Sequence, residues 1–94
     1  MHIAHLIWDD FNIAHIAEHE VKPHEVEEAC QSNQITFTTY GARILLVGHT
    51  LAGRFLSVVL AYKGEGVYYV ITARPASRKE RKYYQEQKGG EQAA

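Results

Sequence analysis

The strongest constraint on the fold is a series of strand-like segments, joined by short turns, in the second half of the 94-residue chain. The first segment alternates Thr with apolar side chains, which is the period of a β-strand, and the other three are more continuously apolar. The four segments are residues 34–39, 43–49, 54–62 and 67–74. Short turns join antiparallel neighbours, so the sequence predicts one antiparallel β-meander.

The residues before the meander predict a short strand at 3–8 and a first helix that Asp9 or Asp10 can cap. The apolar residues of this helix are Phe11, Ile13, Ala14, Ile16 and Ala17. The helix is predicted to end before Pro23.

A second helix is predicted to begin at Pro23, because proline suits the first helical position and Val21 and Val26 have the spacing of a hydrophobic staple. Its apolar face is Val26, Ala29 and Cys30. Central strands that are apolar on both faces need a cover on both sides, here helices on one side and a helix or a partner on the other. The predicted class is α+β.

The last helix follows the meander within residues 71–84, ITARPASRKERKYY. Pro75 prevents an earlier start, and Ser77 with Glu80 three residues later forms a capping box. The helix is predicted to end at about Gln87. We expect one domain over residues 1–88 and a flexible tail at 89–94.

Charge is distributed unevenly although the formal net charge is −1. Residues 1–34 contain seven acids and one base, a net of −6, whereas residues 43–88 contain nine bases and three acids, a net of +6. Five of the ten Lys and Arg residues are Arg74, Arg78, Lys79, Arg81 and Lys82. This cluster indicates a nucleic-acid partner, the alternative being an ordinary solvated surface.

The single cysteine, Cys30, excludes an internal disulfide and favours a reducing compartment, with a buried structural thiol rather than a nucleophile. The first ten residues lack the pattern of an export signal, and no apolar run approaches the length of a membrane span. We therefore expect a cytoplasmic protein.

Over nearly its whole length the chain resembles the BrnT family of toxins from type II toxin–antitoxin systems, compact relatives of the RelE-type ribonucleases. The matching residues are Trp8-Asp9, His19, Val21, Glu28-Ala29, Gly48, Gly53-Arg54, Val58-Val59, Ile71, Ala73-Arg74, Ala76, Arg78, Glu80-Arg81 and Tyr84. The resemblance implies a metal-independent endoribonuclease without a cofactor, which inhibits translation and growth. It also implies neutralisation by a ribbon-helix-helix antitoxin (BrnA-like), and binding of promoter DNA only through that antitoxin.

Two positions depart from the family pattern. Many members have Lys where this chain has Glu18, just before His19, and Arg where it has His49, just after Gly48. Two cations of the family pattern are therefore absent.

RNA cleavage without metal requires a group that accepts the 2′-hydroxyl proton, cations that stabilise the phosphorane and a donor for the leaving oxygen. The predicted catalytic residues are His49, Arg54, Arg74, Arg78 and Glu80. The predicted RNA-binding residues are Arg81, Lys82 and Tyr84. For the proton steps His49 is the first candidate by its ordinary pKa, ahead of His19, Glu80 and Tyr84.

Several of these residues also have a structural interpretation. Glu80 is accounted for by the capping box, Arg54 by solvation beside a turn, and His19 by the dipole at a helix end. Tyr83 and Tyr84 can each pack against the sheet or stack on a base, and packing is the structural interpretation of Tyr84.

Residues 15–19, HIAEH, fit the H-x-x-E-H pattern of a zinc protease. Histidines four apart share a helix face, but a catalytic zinc needs a third protein ligand and a cleft, for which a chain of this length has little room. We therefore predict no metal site.

Two function classes remain open. The first is an RNA-cleaving toxin that acts through its arginine-rich surface. The second is a toxin-like module that has lost activity with the two missing cations and acts only as a binding partner or co-regulator with a DNA-binding antitoxin.

Overall fold

The computed structural model shows a five-stranded sheet with helices on both faces. It describes the backbone of residues 1–93 and the side chains of residues 1–88. The strands are β1 (His5–Ile7), β2 (Ile35–Thr38), β3 (Arg43–His49), β4 (Phe55–Gly64) and β5 (Val67–Pro75). The helices are α1 (Asp10–Ala17), α2 (Pro23–Gln31) and α3 (Arg78–Ala93), and a short 3₁₀ turn spans Tyr40–Ala42. The predicted α+β class is confirmed.

The strand order is β1-β5-β4-β3-β2, and strands β2 to β5 pair antiparallel with their chain neighbours, as the meander predicts. The short strand β1 pairs parallel with β5, with His5 opposite Val67. Sequence periodicity predicted β1 but did not predict its partner.

One face of the sheet is sealed by α1 and α2, and we call it the closed face. Its buried strand residues are Leu46, Leu56, Val58, Leu60, Tyr68, Val70 and Ala73. The core is completed by Ile16 from α1, by Val21 from the segment before α2, and by Val26, Ala29 and Cys30 from α2. The staple and the predicted apolar face of α2 are therefore confirmed.

Of the apolar positions of α1, only Ile16 is buried in the core. Phe11 is 75% exposed and Ile13 is 39% exposed, whereas Asn12 is fully buried. The Asn12 amide donates to the backbone carbonyls of Ile7 (2.9 Å) and Val70 (3.2 Å). The Asn12 amide thereby satisfies one carbonyl of β1 and one of β5. A polar side chain thus occupies the buried side of α1, where apolar residues would be expected.

The opposite face of the sheet is covered only in part by α3, and we call it the open face. Leu45, Val59, Ala61 and Thr72 lie on it and are only half-buried. α3 is helical to Ala93, past the predicted end at about Gln87. The flexible tail stays a prediction, because the side chains of residues 89–93 and all of Ala94 lie outside the described part of the chain.

Candidate nucleic-acid interface

Arg74 and Glu80 form the best-defined polar contact on the open face. Arg74 leaves the end of β5, and its two terminal nitrogens donate to the two carboxylate oxygens of Glu80, at 2.7 and 2.8 Å. Such a two-point contact fixes the plane of the guanidinium. The side chain of Arg74 is still 43% exposed, so part of the guanidinium faces solvent.

Two further groups hold the Glu80 carboxylate. The buried Ser57 hydroxyl and the backbone N–H of Ser77 each donate to Oε1 of Glu80 at 2.8 Å. The Glu80 N–H donates to the Ser77 hydroxyl at 3.1 Å, which confirms the capping box. Ser57 is directly opposite Arg74 in the β4–β5 register, so the network joins both strands to α3.

These donors set the ionisation of Glu80. The hydrogen bond from Arg74, with those from Ser77 and Ser57, lowers the pKa of Glu80 to about 2 against the effect of burial. The same hydrogen bond raises the pKa of Arg74. Glu80 is therefore a permanently charged anchor at neutral pH and a weak proton acceptor.

Three cations project from the same helix. Arg78, Arg81 and Lys82 are exposed and, with Gln85, line a shallow concavity of about 320 Å³. Their spacing of three and four residues places them on one side of α3. Within the described part of the chain, none of the three cations is in an ion pair.

His49 lies at the end of β3, on the open face and at the same end of the sheet as Arg74. Its Nδ1 is 3.1 Å from the carbonyl oxygen of Thr50, which can only accept, so Nδ1 carries the hydrogen and Nε2 is the acceptor of the neutral ring. The ring packs edge-on against Phe55 and Tyr84, with centroids 5.8 and 6.4 Å apart. The structure thus brings His49 to the site with a free ring nitrogen.

Tyr84 is buried rather than exposed, with 7% of its area exposed. Its ring packs on Phe55 at 5.1 Å and its hydroxyl donates to the carbonyl of Asn33. The stacking role predicted for Tyr84 requires an exposed ring. The neighbouring residue on this helix, Tyr83, does have an exposed ring, with 43% of its area accessible.

Arg54 is not brought to this cluster. Its guanidinium donates to both oxygens of Glu25 at 3.0 Å and to the Glu20 carbonyl at 2.8 Å, which ties β4 to α2 beside the closed face. Burial alone would raise the pKa of Glu25, but the Lys22 N–H and Arg54 together hold it below its ordinary value. This geometry matches a structural role for Arg54.

Acidic side chains surround the other side of His49. A cavity of about 370 Å³ lies between α2 and the β3–β4 turn, lined by Glu27, Glu28, Gln31, Ser32, His49 and Leu51. Glu28 accepts from the Leu51 N–H at 3.0 Å, and Glu27 accepts from the Trp8 indole at 2.9 Å. Two carboxylates disfavour phosphate here, so the cationic approach to His49 is from α3.

The H-x-x-E-H segment does not form a metal centre within the described residues. His15 and His19 are adjacent on α1 and the turn after it, with ring centroids 5.8 Å apart. No group of three His, Cys, Asp or Glu side chains in the described part of the chain is arranged to hold a metal ion. Across those same residues, no helix has the length and apolar content to cross a membrane.

Comparison with known proteins is informative about the fold. No protein-family model matches the chain, and no curated protein matches it in sequence. The crystal structure of the Brucella abortus ribonuclease toxin BrnT matches with a TM-score of 0.64, covering 79% of this chain and 97% of that one at 23% identity. The chain has the BrnT fold. The BrnT-like architecture predicted from sequence is confirmed at the level of the fold.

Ser57 was missed as a member of this site. A serine inside the apolar run of β4 was a visible signal, because a hydroxyl in a buried strand needs a partner. The sequence allowed either Tyr83 or Tyr84 to stack on a base, since only the rotation of α3 on the sheet decides which of the two adjacent tyrosines is buried.

Proposed function

We propose that this chain is a BrnT-like toxin of a type II toxin–antitoxin system that cleaves RNA without a metal ion and thereby inhibits translation and growth. The observation that carries the proposal is the set of exposed cations Arg78, Arg81 and Lys82, which have no ion pair among the described residues and lie on the helix that Glu80 joins to Arg74. The BrnT fold supports it, since the solved example is a ribonuclease toxin.

In the proposed reaction the 2′-hydroxyl of one ribose attacks the adjacent phosphate and the 5′-oxygen of the next nucleotide leaves. Arg74 is suited to stabilise the extra negative charge, because Glu80 holds its guanidinium in place before substrate arrives. Arg78, Arg81 and Lys82 bind the neighbouring phosphates.

His49 is the proposed proton acceptor, through Nε2. His49 is on β3 and Arg74 on β5, with β4 between them, and their positions along the sheet differ by two residues. Ordinary strand spacings then place their Cα atoms roughly 12 Å apart. Both lie on the open face at one end of the sheet, where one RNA strand can contact both.

The proposed protein partner is a ribbon-helix-helix antitoxin that acts in the cytoplasm with this chain. Acidic side chains of the partner would cover Arg78, Arg81 and Lys82, block RNA by occupation and make the complex sensitive to salt. Promoter DNA is bound only through the antitoxin.

The test is cleavage of a long RNA by purified, partner-free protein in excess EDTA. The native chain is expected to cleave, and Arg78→Ala combined with Arg81→Ala to lose most activity. Arg43→Ala is the matched control, because Arg43 is an exposed cation at the other end of the open face. Equal cleavage by all three proteins would reveal a contaminating ribonuclease, and no cleavage by the native chain would oppose the enzyme proposal.

A second candidate is a binding module without catalytic activity. It is favoured by the engagement of several predicted catalytic groups in structural contacts, Glu80 with Arg74 and Arg54 with Glu25. Native protein that binds RNA and a ribbon-helix-helix partner but does not cleave would support it. His49→Arg restores a cation of the family pattern, and growth arrest on its overproduction, with none from the native chain, would identify the missing group.

A further inference from the structure

An exposed aromatic pair lies beside the cations of α3. Tyr83 packs on Phe37 of the edge strand β2, with ring centroids 5.1 Å apart and ring planes inclined by 52°. Phe37 is half-buried on the open face, while Tyr83 keeps 43% of its area exposed. The contact therefore holds the Tyr83 ring at the surface instead of burying it.

The charges around this ring favour a polyanion. Lys79 is one helical turn before Tyr83, which makes the two side chains neighbours on α3, and Lys82 directly precedes it. Both lysines are exposed, and neither is in an ion pair in the part of the chain that the structure describes. A solvent-facing aromatic ring with adjacent cations has the chemistry of single-stranded nucleic-acid binding, where a base stacks and its phosphates meet Lys or Arg.

We propose that the Phe37–Tyr83 pair stacks one unpaired nucleobase of an RNA strand whose adjoining phosphates contact Lys79 and Lys82. This inference rests on the proposed RNA-directed function and adds a base-binding subsite to it. Duplex RNA keeps its bases stacked on each other, so the subsite selects single-stranded RNA.

A second aromatic pair provides a control within the same molecule. Tyr62 packs on Tyr68 with centroids 5.3 Å apart and planes inclined by 55°, and Tyr62 is 56% exposed. Its hydroxyl accepts from the backbone N–H of Glu65, in a turn that carries a carboxylate. The geometry of the two pairs is nearly equal, but Tyr62 has the single cation Lys63 together with the carboxylate of Glu65 in its turn, whereas Tyr83 has both Lys79 and Lys82.

The experiment measures binding of a fluorescently labelled single-stranded RNA 12-mer, and of a 12-mer with the same phosphates but abasic central positions. Tyr83→Leu keeps an apolar contact with Phe37 and removes the stacking ring. We expect it to bind the normal RNA about tenfold more weakly at an unchanged thermal midpoint, as loss of one stacked base predicts. Tyr83→Phe should retain binding, and Tyr62→Leu should have no effect.

The abasic RNA separates the two proposals. The native protein should bind it more weakly than normal RNA, and Tyr83→Leu should bind both alike with an unchanged salt dependence, because the phosphate contacts remain. If Tyr83→Leu binds normal RNA within twofold of native while Arg78→Ala weakens it, the stacking subsite is overturned and RNA binding stands. If the native protein binds neither RNA at low salt, both proposals are overturned.

Discussion

The two faces of the sheet use similar strands for different purposes. The closed face is buried under α1 and α2, and its polar groups are satisfied internally, as by Asn12. The open face is crossed by α3, and it leaves apolar residues half-buried and Arg78, Arg81 and Lys82 without an ion pair among the described residues. The acids of residues 1–34 belong to the layer over the closed face, and the basic cluster to the helix on the open one.

The difference indicates how a domain of 94 residues separates stability from ligand binding. The helices that complete the core also carry the acids that repel nucleic acid. The helix that contributes less to the core carries the bases. Substitutions on the two faces should therefore affect different measurements.

The largest expected effect uses two adjacent residues of β3. Leu46 is fully buried on the closed face and Leu45 is half-buried on the open face. Leu46→Ala should lower the free energy of unfolding by about 3 kcal/mol and Leu45→Ala by about 1 kcal/mol, because burial and the residual cavity set the cost. Denaturant unfolding measures both, and equal losses would contradict the assignment of the two faces.

The next comparison sets a paired arginine against an unpaired one. Arg54→Met removes the partner of Glu25 and should cost about 1.5 kcal/mol of stability with little change in RNA affinity. Arg78→Met should leave stability unchanged, weaken RNA binding and reduce the slope of log affinity against log salt by about one unit. RNA titrations at several salt concentrations, together with melting curves, test the pair. If Arg54→Met instead weakened RNA binding and left stability unchanged, Arg54 would belong to the RNA-binding site.

Acid should weaken the attachment of α3. The pKa of Glu80 falls from the ordinary 4.5 to about 2 on folding, so its contribution to stability is complete above pH 4.5 and is lost as the pH falls toward 2. Glu80→Gln should therefore be less stable than native protein at pH 7, and the difference should shrink between pH 4.5 and 2. A difference that stays constant over this window would mean that the charge of Glu80 is not what anchors the helix.

The smallest expected effect concerns the thiol of the closed face. Burial raises the pKa of Cys30 to about 12, so the folded protein should react with a thiol reagent at neutral pH only on local opening. Denatured protein should react at once, and rapid labelling of native protein would mean that the closed face opens readily. The expected thiol buried on α2 is confirmed.

Much of the fold could be predicted from local patterns. The four strands of the meander, the staple at α2 and the capping box of Ser77 and Glu80 each depend on residues close in sequence. The pairing of β1 with β5 and the burial of Asn12 depend on contacts between residues that are distant in sequence. The periodicity of apolar residues along the chain therefore could not predict them.

The site was less predictable because its members are defined by partners. The charge cluster identified Arg78, Arg81 and Lys82, which form no ion pair within the described part of the chain. Sequence could not distinguish Arg54, which Glu25 holds beside the closed face, from Arg74, which Glu80 holds on the open one. The exposure of Tyr83 and the burial of Tyr84 likewise depend on how α3 meets the sheet.

The parallel pairing of the first strand with the last has a consequence for synthesis. Domains begin to form as the chain leaves the ribosome from its amino end, yet β1 has no partner until residues 67–69 emerge. The cations of α3 are translated only after that. A product of premature termination before β5 thus has neither a finished sheet nor the surface that we propose for RNA.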